Sequence, residues 1–316
     1  RLADPDFSAE RIAACDDPDV YRAMRSGELI GIPQSASPAM RQAHVRLRTD
    51  NLHDASLVQA GIRPGVGGAV KLNELIARRR GKEYNYSHPK LEDILGCTYG
   101  IIVFQEQVDQ LLQTFAGMTS GEAEELREDI HKKRREDFGE QLKSRLISRI
   151  VDNGHGRSVA EEIFEYVAGF KGYGFAQGHA LAFAEVSLRS VYLMQHHPAA
   201  YFASLLSAQP AGYYPSATIA NEARIRGVPI LGLDVNVSRE KFEVEDVRNE
   251  LGLVVPLGGI RTGLMQLSGL SSAVLTRILE HQHGLKQPAQ PQLVASGGRI
   301  ATAEPPMPPL EPFGGF

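Results

Sequence analysis

The sequence predicts a mostly α-helical protein with a small β unit toward its carboxyl-terminal end. Apolar residues recur at three- and four-residue steps through much of residues 101–198, the spacing of an amphipathic helix. Short β-branched runs separated by turn residues are confined to residues 228–258. With 316 residues, 42% of them hydrophobic, the chain can form one large or two smaller domains.

The first strong helical pattern runs over Ile101–Phe115 and ends at Gly117. Thr119 or Ser120 is suited to cap the next helix. That helix has an acidic first turn and carries the basic run 131–135 at its end. Because this polarity complements the helix dipole, it also explains the charges without any ligand.

Three further helical segments follow in the sequence. One is predicted over residues 138–151, and Ser158 with Glu161 forms a capping-box pattern for the next. Another follows His179 and reaches Pro198, which suits the first turn of a subsequent helix.

The pattern changes after Gly227. The runs 228–235, 241–245 and 251–255 predict a small sheet or hairpin unit, and residues 260–283 predict two short helices about a glycine-containing hairpin. From residue 287, Pro, Gly, Gln and Ala dominate, which predicts disorder. We therefore expect four regions: a helical domain over 1–227, a small β connector over 228–258, a helix-hairpin-helix over 259–286 and a disordered tail over 287–316.

Composition narrows the setting. Cys15 and Cys97 lie far apart without ligand spacing, so we expect neither a disulfide scaffold nor a structural zinc, and a reducing, cytoplasmic compartment. No apolar run approaches the length of about 18 residues needed to span a bilayer, so we expect no membrane association. Because the chain starts without Met, we expect a fragment or a processed form.

The net charge of −4 hides three basic clusters. They lie at residues 41–48, 78–82 and 131–135. Each alone is typical of a solvated face, whereas their recurrence within the first half favours contact with phosphate.

The segment from Gly169 to His179 is the leading candidate for a functional turn. It contains four glycines, and Gly172 and Gly174 flank an aromatic residue, so the backbone can approach a ligand closely. Lys171 and His179 bracket the turn and suit a phosphate. An ordinary corner between two helices is the alternative.

Two other basic features could bind phosphate. Arg127, His131 and Arg134 fall on one row of a predicted helix, at the edge of its apolar face. Arg63 precedes a proline and a glycine, and its guanidinium offers a planar fork to a phosphate. A surface loop is the alternative for Arg63.

The acidic candidates are weaker. Residues 105–107 could polarise a substrate, but solvated helix residues are the commoner explanation. Residues 16–19 predict a helix-capping, solvated cluster rather than a two-metal site. The sequence contains no Walker loop, serine elbow or HExxH motif.

Five motifs occur along the chain in a fixed order. They are Asp17-Pro18-Asp19-Val20-Tyr21-Arg22-Ala23-Met24, Arg63-Pro64-Gly65, Tyr99 to Gln107, Gly172-Tyr173-Gly174-Phe175 followed by His179, and Asp234-Val235-Asn236. Their order resembles that of bacterial C-family DNA polymerases, the replicative polymerase III alpha subunits, and the resemblance covers about residues 16–283. Residues 197–202, 208–210 and 212–214 are more similar to the error-prone, mutagenesis-associated paralogue.

The resemblance implies a fingers domain followed by the start of a region with a helix-hairpin-helix. In that family the fingers hold an incoming deoxynucleoside triphosphate (dNTP) and template DNA against a separate palm, whose three aspartates bind Mg²⁺. It therefore implies a DNA-directed DNA polymerase with no catalytic residue and no metal site in this chain, which alone should be inactive. The implied partners are DNA, dNTP, the palm and PHP regions, and a sliding clamp with other replication or mutagenesis proteins.

The resemblance also assigns residues. Arg127 matches the first of two triphosphate-facing arginines, Lys132 and Lys133 match the following basic run, and His179 matches the histidine of the glycine-rich turn. Taken with the two residues proposed from their chemistry, the predicted phosphate-binding set is Arg63, Arg127, Lys132, Lys133, Lys171 and His179. The predicted DNA-binding hairpin is Ser268, Gly269, Leu270 and Ser271.

Some positions depart from the family pattern. Glu128 stands where the family has its second arginine, although it can pair with Lys132 one turn later. Only Gln34, Ser37 and Met40 remain of another family motif. Glu128 favours a non-catalytic DNA-binding or complex-assembly paralogue as the alternative. A third possibility is an unrelated helical scaffold whose basic runs are solvated.

Overall fold

The computed structural model describes residues 14–62, 66–132, 137–170, 175–248 and 254–286. The chain divides into two compact units, Arg1–Gly269 and Leu270–Phe316. The α-helices of the described residues are α1 (Pro18–Ser26), α2 (Pro38–Leu47), α3 (Leu52–Gly61), α4 (Val66–Arg79), α5 (Pro89–Leu95), α6 (Gln105–Ala116), α7 (Ser120–Lys132), α8 (Asp137–Asp152), α9 (Arg157–Ala168), α10 (Gln177–His196), α11 (Pro198–Ser207), α12 (Ser216–Ile225) and, in the second unit, α13 (Ser272–Lys286).

One small sheet completes the first unit. Its strands are β1 (Ile230–Leu231), β2 (Glu243–Glu245) and β3 (Gly259–Arg261), in the order β1-β3-β2. β3 pairs in parallel with β1 and antiparallel with β2. The predicted fold class, mostly α with a small β unit, is confirmed, whereas the predicted domain limits at residues 227 and 258 stay predictions.

The prediction of two helices over residues 260–283 was wrong for the first of them. β3 occupies its start, and only a single 3-10 turn, Leu264–Gln266, follows. The amides of Leu264 and Met265 donate to the carbonyl oxygens of Arg239 and Glu240. Because these neighbouring segments satisfy the backbone hydrogen bonds, the helical period does not produce a helix here.

The central helices agree closely with the prediction, with two differences in where they start. α6 begins at Gln105 rather than Ile101, because Phe104 forms an isolated parallel bridge with Phe175. The predicted capping box at Ser158 is absent, because Gly156 occupies the N-cap of α9. The cap of α7 is confirmed: Thr119 and Glu122 exchange backbone and side-chain hydrogen bonds.

Three hydrophobic clusters fill the first unit. One joins α1, α10, α11 and α12 to the sheet, a second joins α5–α9, and a third joins α2–α4 to residues 101–104. α10 contributes Leu188 to the first cluster and Ala180 to the third. The start of α10 therefore lies where the extended segment 101–104 meets the third cluster.

Among the described residues, no helix combines the length and apolar character that crossing a membrane requires.

Candidate functional site

The end of the glycine-rich turn is attached to the start of α6. Residues 171–174 lie outside the described residues, but Phe175 is described and its carbonyl oxygen accepts a hydrogen bond of 3.2 Å from the amide of Gln105. The amide of Gln177, the first residue of α10, lies 3.0 Å from each carboxylate oxygen of Glu106. A side chain of α6 therefore caps α10.

His179 lies in the first turn of α10 and is exposed. Its ring centroid is 5.1 Å from that of Phe175 and 4.4 Å from that of Phe183, the second contact being edge-on. Two aromatic rings thus fix the orientation of an imidazole that solvent can reach. An exposed imidazole can donate or accept a hydrogen bond.

Arg127, on α7, is the second candidate whose side chain is described. Its Nε lies 2.9 Å from Oδ1 of Asp109 on α6. Its Nη2 lies 3.8 Å from Oε1 of Glu124. Only 16% of its side chain is exposed. Burial raises the pKa of Asp109, while the hydrogen bond from Arg127 opposes that shift.

Side chains of α6 contact both Arg127 and the helix that carries His179. Glu106, which caps the helix of His179, and Asp109, which holds Arg127, are three residues apart on the same helix. Residues at this spacing lie on one helix face, about 5–6 Å apart. The structure therefore brings Arg127 and the first turn of α10 to adjacent positions along one face of α6.

No motif in the sequence singles out Asp109, and Glu106 stands there only as part of the acidic group 105–107. The spacing of the two carboxylates was visible in the sequence. Their partners, 18 and 71 residues away, were not.

The remaining phosphate-binding candidates stay predictions. Arg63, Lys133 and Lys171 lie outside the described residues. Lys132 is the last residue of α7, and its side chain is not described. Glu128 is exposed on α7, immediately after Arg127.

Neither of the two interpretations offered for residues 105–107 describes Gln107. It is buried, and its Oε1 accepts hydrogen bonds from the amides of Val103 and Phe104 at 2.9 and 3.0 Å. Its Nε2 donates to Oγ1 of Thr98 and to the carbonyl oxygen of Ile94. Gln107 therefore anchors the extended segment 101–104, in which Phe104 forms the bridge with Phe175.

We expect Gln107→Ala to lower the free energy of unfolding by about 2–4 kcal/mol, because it leaves several buried polar groups without partners. Denaturant unfolding measures this loss. Gln110→Ala, an exposed glutamine on the same helix, is the matched control and should stay within about 0.5 kcal/mol of the parent. Equal losses in the two variants would contradict the anchoring role.

The basic cluster at 78–82 is structural. Its four cationic side chains all bind groups within the first unit, while Arg80 and Lys82 are also exposed, so the solvated face holds in part and phosphate contact stays a prediction. The contacts are Arg78 with Glu74 and the carbonyl oxygens of Tyr99 and Gly100, Arg79 with Asp54 and the hydroxyl of Tyr99, Arg80 with the carbonyl oxygen of Arg46, and Lys82 with Glu74.

The cluster at 41–48 is also less cationic than its sequence indicates. His44 is fully buried, and burial lowers its pKa to about 3, so the imidazole is neutral at physiological pH. Nε of Arg41 donates to the carbonyl oxygen of Gly27 at 2.8 Å. This cluster therefore offers a weaker positive surface than a count of its residues suggests.

The acidic cluster at 16–19 caps a helix, as predicted. Oδ1 of Asp17 accepts hydrogen bonds from the amides of Asp19 and Val20 at the start of α1. Within the described residues, Asp17, Asp19 and His196 are close enough to share a metal ion. Oδ1 of Asp17 already caps α1 and Asp19 pairs with Arg22, so we interpret the group as structural.

The four predicted DNA-binding residues belong to both units. In the first unit, Gly269 has a φ of 81°, a backbone conformation that only glycine adopts without strain. A Cβ placed at this position would meet no atom within 4 Å. In the second, Oγ of Ser271 accepts a hydrogen bond from the amide of Val274 and caps α13. DNA binding by this segment stays a prediction.

The helices α6 and α7, which carry Asp109 and Arg127, lie within a segment that matches a known family. Residues 4–154 match the bacterial DNA polymerase III alpha subunit finger domain. The chain belongs to this alpha-subunit family, which confirms the resemblance found in the motifs.

The relatives point to a particular branch of the family. The error-prone DNA polymerase of Symbiobacterium thermophilum is 40% identical over 282 residues, which cover 85% of this chain and 26% of that protein. The error-prone DNA polymerase of Anaeromyxobacter dehalogenans is 36% identical over 267 residues, covering 84% and 24% of the two chains. That of Methylococcus capsulatus is 33% identical over 276 residues, covering 83% and 26%. The chain thus spans about a quarter of the length of these relatives.

Proposed function

We propose that this chain is the fingers region of a DNA-directed DNA polymerase and positions an incoming dNTP and template DNA against a separate palm. The observation that carries the proposal is the arrangement on α6, where Asp109 holds Arg127 and Glu106 caps the helix of His179. The similarity to error-prone DNA polymerases supports this reading.

The proposed chemistry is charge neutralisation and orientation. A triphosphate needs cationic and N–H donors placed before it arrives, because preorganised donors cost no rearrangement during the reaction. Arg127 would neutralise a phosphate oxygen, with Asp109 keeping its guanidinium in place. His179 would donate a hydrogen bond from an orientation fixed by Phe175 and Phe183.

The catalytic step would depend on the palm. In this proposal the palm carboxylates bind Mg²⁺, which supplies charge stabilisation for phosphoryl transfer, and residues 1–316 alone are inactive. We propose the palm and PHP regions, a sliding clamp and other replication or mutagenesis proteins as partners. Their place of action would be the cytoplasm.

We expect Arg127→Ala to raise the KM for dNTP about ten- to a hundredfold in a palm-containing form of the protein, because one charge-assisted phosphate contact is lost. The KM for primed DNA should change little. Steady-state kinetics with each substrate varied in turn measures both values.

Arg157→Ala is the matched control for this experiment. Arg157 pairs with Glu161 on the exposed surface of α9, so its loss should alter neither KM. An unchanged KM for dNTP in Arg127→Ala would show that the triphosphate assignment is wrong.

A non-catalytic DNA-binding or complex-assembly module is the second candidate function. The observation that favours it is the negative charge around Arg127: Asp109 and Glu124 contact it, and Glu128 follows it on α7. A carboxylate close to a triphosphate costs on the order of 1–4 kcal/mol. DNA affinity that falls with rising salt, together with no dNTP-dependent synthesis in the palm-containing form, would favour this candidate.

A further inference from the structure

We infer that Glu106 is a positioning residue that sets where α10 presents His179 to a ligand. The inference rests on the proposed function for its nucleotide part. It concerns one contact that crosses between distant parts of the chain, the hydrogen bond from the amide of Gln177 to the carboxylate of Glu106.

α10 lacks a cap of its own. A helix leaves its first amides without partners inside the helix, and Ser, Thr, Asn or Asp at the N-cap normally satisfies one of them. The N-cap of α10 is Ala176, whose side chain has no acceptor. Glu106 supplies the acceptor from another helix, so the position of the first turn of α10 depends on α6.

The backbone strengthens the same attachment. Phe104 and Phe175 form a parallel bridge, and the amide of Gln105 donates to the carbonyl oxygen of Phe175 at 3.2 Å. His179 then packs between Phe175 and Phe183. Phe104, Gln105 and Glu106 thus hold the chain at the start of α10, the helix that carries His179.

The same helix also holds Arg127 through Asp109. Glu106 and Asp109 lie one turn apart, so the fixed geometry of α6 sets the separation between the guanidinium and the imidazole. A ligand that needs both groups would bind through a spacing that Glu106 helps to define. Glu106 need not touch the ligand for this role.

The experiment uses the 316-residue chain with Glu106→Ala and the conservative Glu106→Gln. Glutamine keeps an oxygen acceptor for Gln177 but removes the charge. NMR gives two positional readouts, the exchange rate of the Gln177 amide and the chemical shift of the His179 ring. A titration with Mg-dATP gives the affinity.

In Glu106→Ala we expect Gln177 to exchange about ten- to a hundredfold faster and the His179 shift to move toward that of a free histidine. The affinity for Mg-dATP should fall on the order of tenfold. In Glu106→Gln all three values should stay close to the parent. The matched control is Asp17→Ala, which removes a carboxylate cap from α1 and should leave all three unchanged.

Unchanged exchange in Glu106→Ala, or equal acceleration in Glu106→Gln, would overturn the inference. An unchanged affinity for Mg-dATP in Glu106→Ala would also overturn the inference if Arg127→Ala weakens the binding of Mg-dATP. In that case the proposed function would stand. If Arg127→Ala also leaves the affinity unchanged, the proposed function is wrong and the nucleotide part of the inference falls with it.

Discussion

Replacing Arg79 with alanine is expected to lower the free energy of unfolding by about 3–5 kcal/mol, the effect of removing one partner from a buried ion pair. Arg79, at the end of α4, binds both carboxylate oxygens of Asp54 on α3, at 2.5 and 2.6 Å. Only 1% of the Asp54 side chain is exposed. The variant would leave this carboxylate without its cationic partner.

The loss should depend on pH in a defined direction. Burial raises the pKa of Asp54 to about 6, above the ordinary value of 3.8. Removing Arg79 should raise it further, so the native state of the variant binds a proton that the unfolded state has already released. Stability of Arg79→Ala relative to the parent should therefore decrease as pH rises from 5.5 to 8, values chosen to lie on either side of about 6.

Two further variants test the physical cause. Asp54→Asn combined with Arg79→Met removes both charges and should recover at least about 1–2 kcal/mol of the loss. Arg157→Ala removes an exposed arginine and should cost less than about 1 kcal/mol. If the double variant is as unstable as Arg79→Ala, an unpaired carboxylate is not the cause.

The same ion pair explains why part of the structure could not be read from the sequence. The run 78–82 is a basic cluster by composition, and its partners lie on other elements, as with Asp54 on α3. A sequence gives the charge of a side chain but not the carboxylate or carbonyl group that it meets. Charge clusters were therefore the least reliable part of the prediction.

Helices were predicted well where local signals agreed. The α7 start had a capping residue, an acidic first turn and an apolar face, and the structure confirms it. The first predicted helix after residue 260 had only its apolar period, and sheet pairing of β3 with both neighbours prevailed. Independent local signals therefore mattered more than periodicity alone.

The candidate site was predictable in its residues and not in its scaffold. Arg127 and His179 could be selected from chemistry and motif order. Their connection through α6 required contacts that span 18 and 71 residues. Such pairings follow from the packing of α6 against its neighbours, and no local pattern encodes them.

Acidification is expected to destabilise the protein through His44, beginning near pH 6.5, the ordinary value of this imidazole. The ring is fully buried, and its Nδ1 and Nε2 lie 3.0 and 3.2 Å from the hydroxyls of Thr49 and Ser35. Neither hydroxyl carries a charge that would stabilise an imidazolium. Burial therefore lowers the pKa of His44 to about 3.

The sign follows from proton uptake. Below pH 6.5 the unfolded state protonates this histidine, whereas the native state does so only near pH 3. His44 thus contributes stability that is fully present above pH 6.5 and is lost as pH falls toward 3, at up to about 1.4 kcal/mol per pH unit. Asp54, whose pKa is raised, acts in the opposite direction over part of this range.

Comparison with His44→Gln separates the two contributions, because Asp54 is present in both proteins. Denaturant unfolding at several pH values between 8 and 5, a range chosen to span the ordinary value of 6.5, gives each stability curve. His44→Gln should be less stable at pH 8, since glutamine fills the ring site poorly, and the difference should narrow as the pH falls. A difference that stays constant would show that His44 does not remain neutral because of burial, and that Ser35 and Thr49 accommodate its charged form.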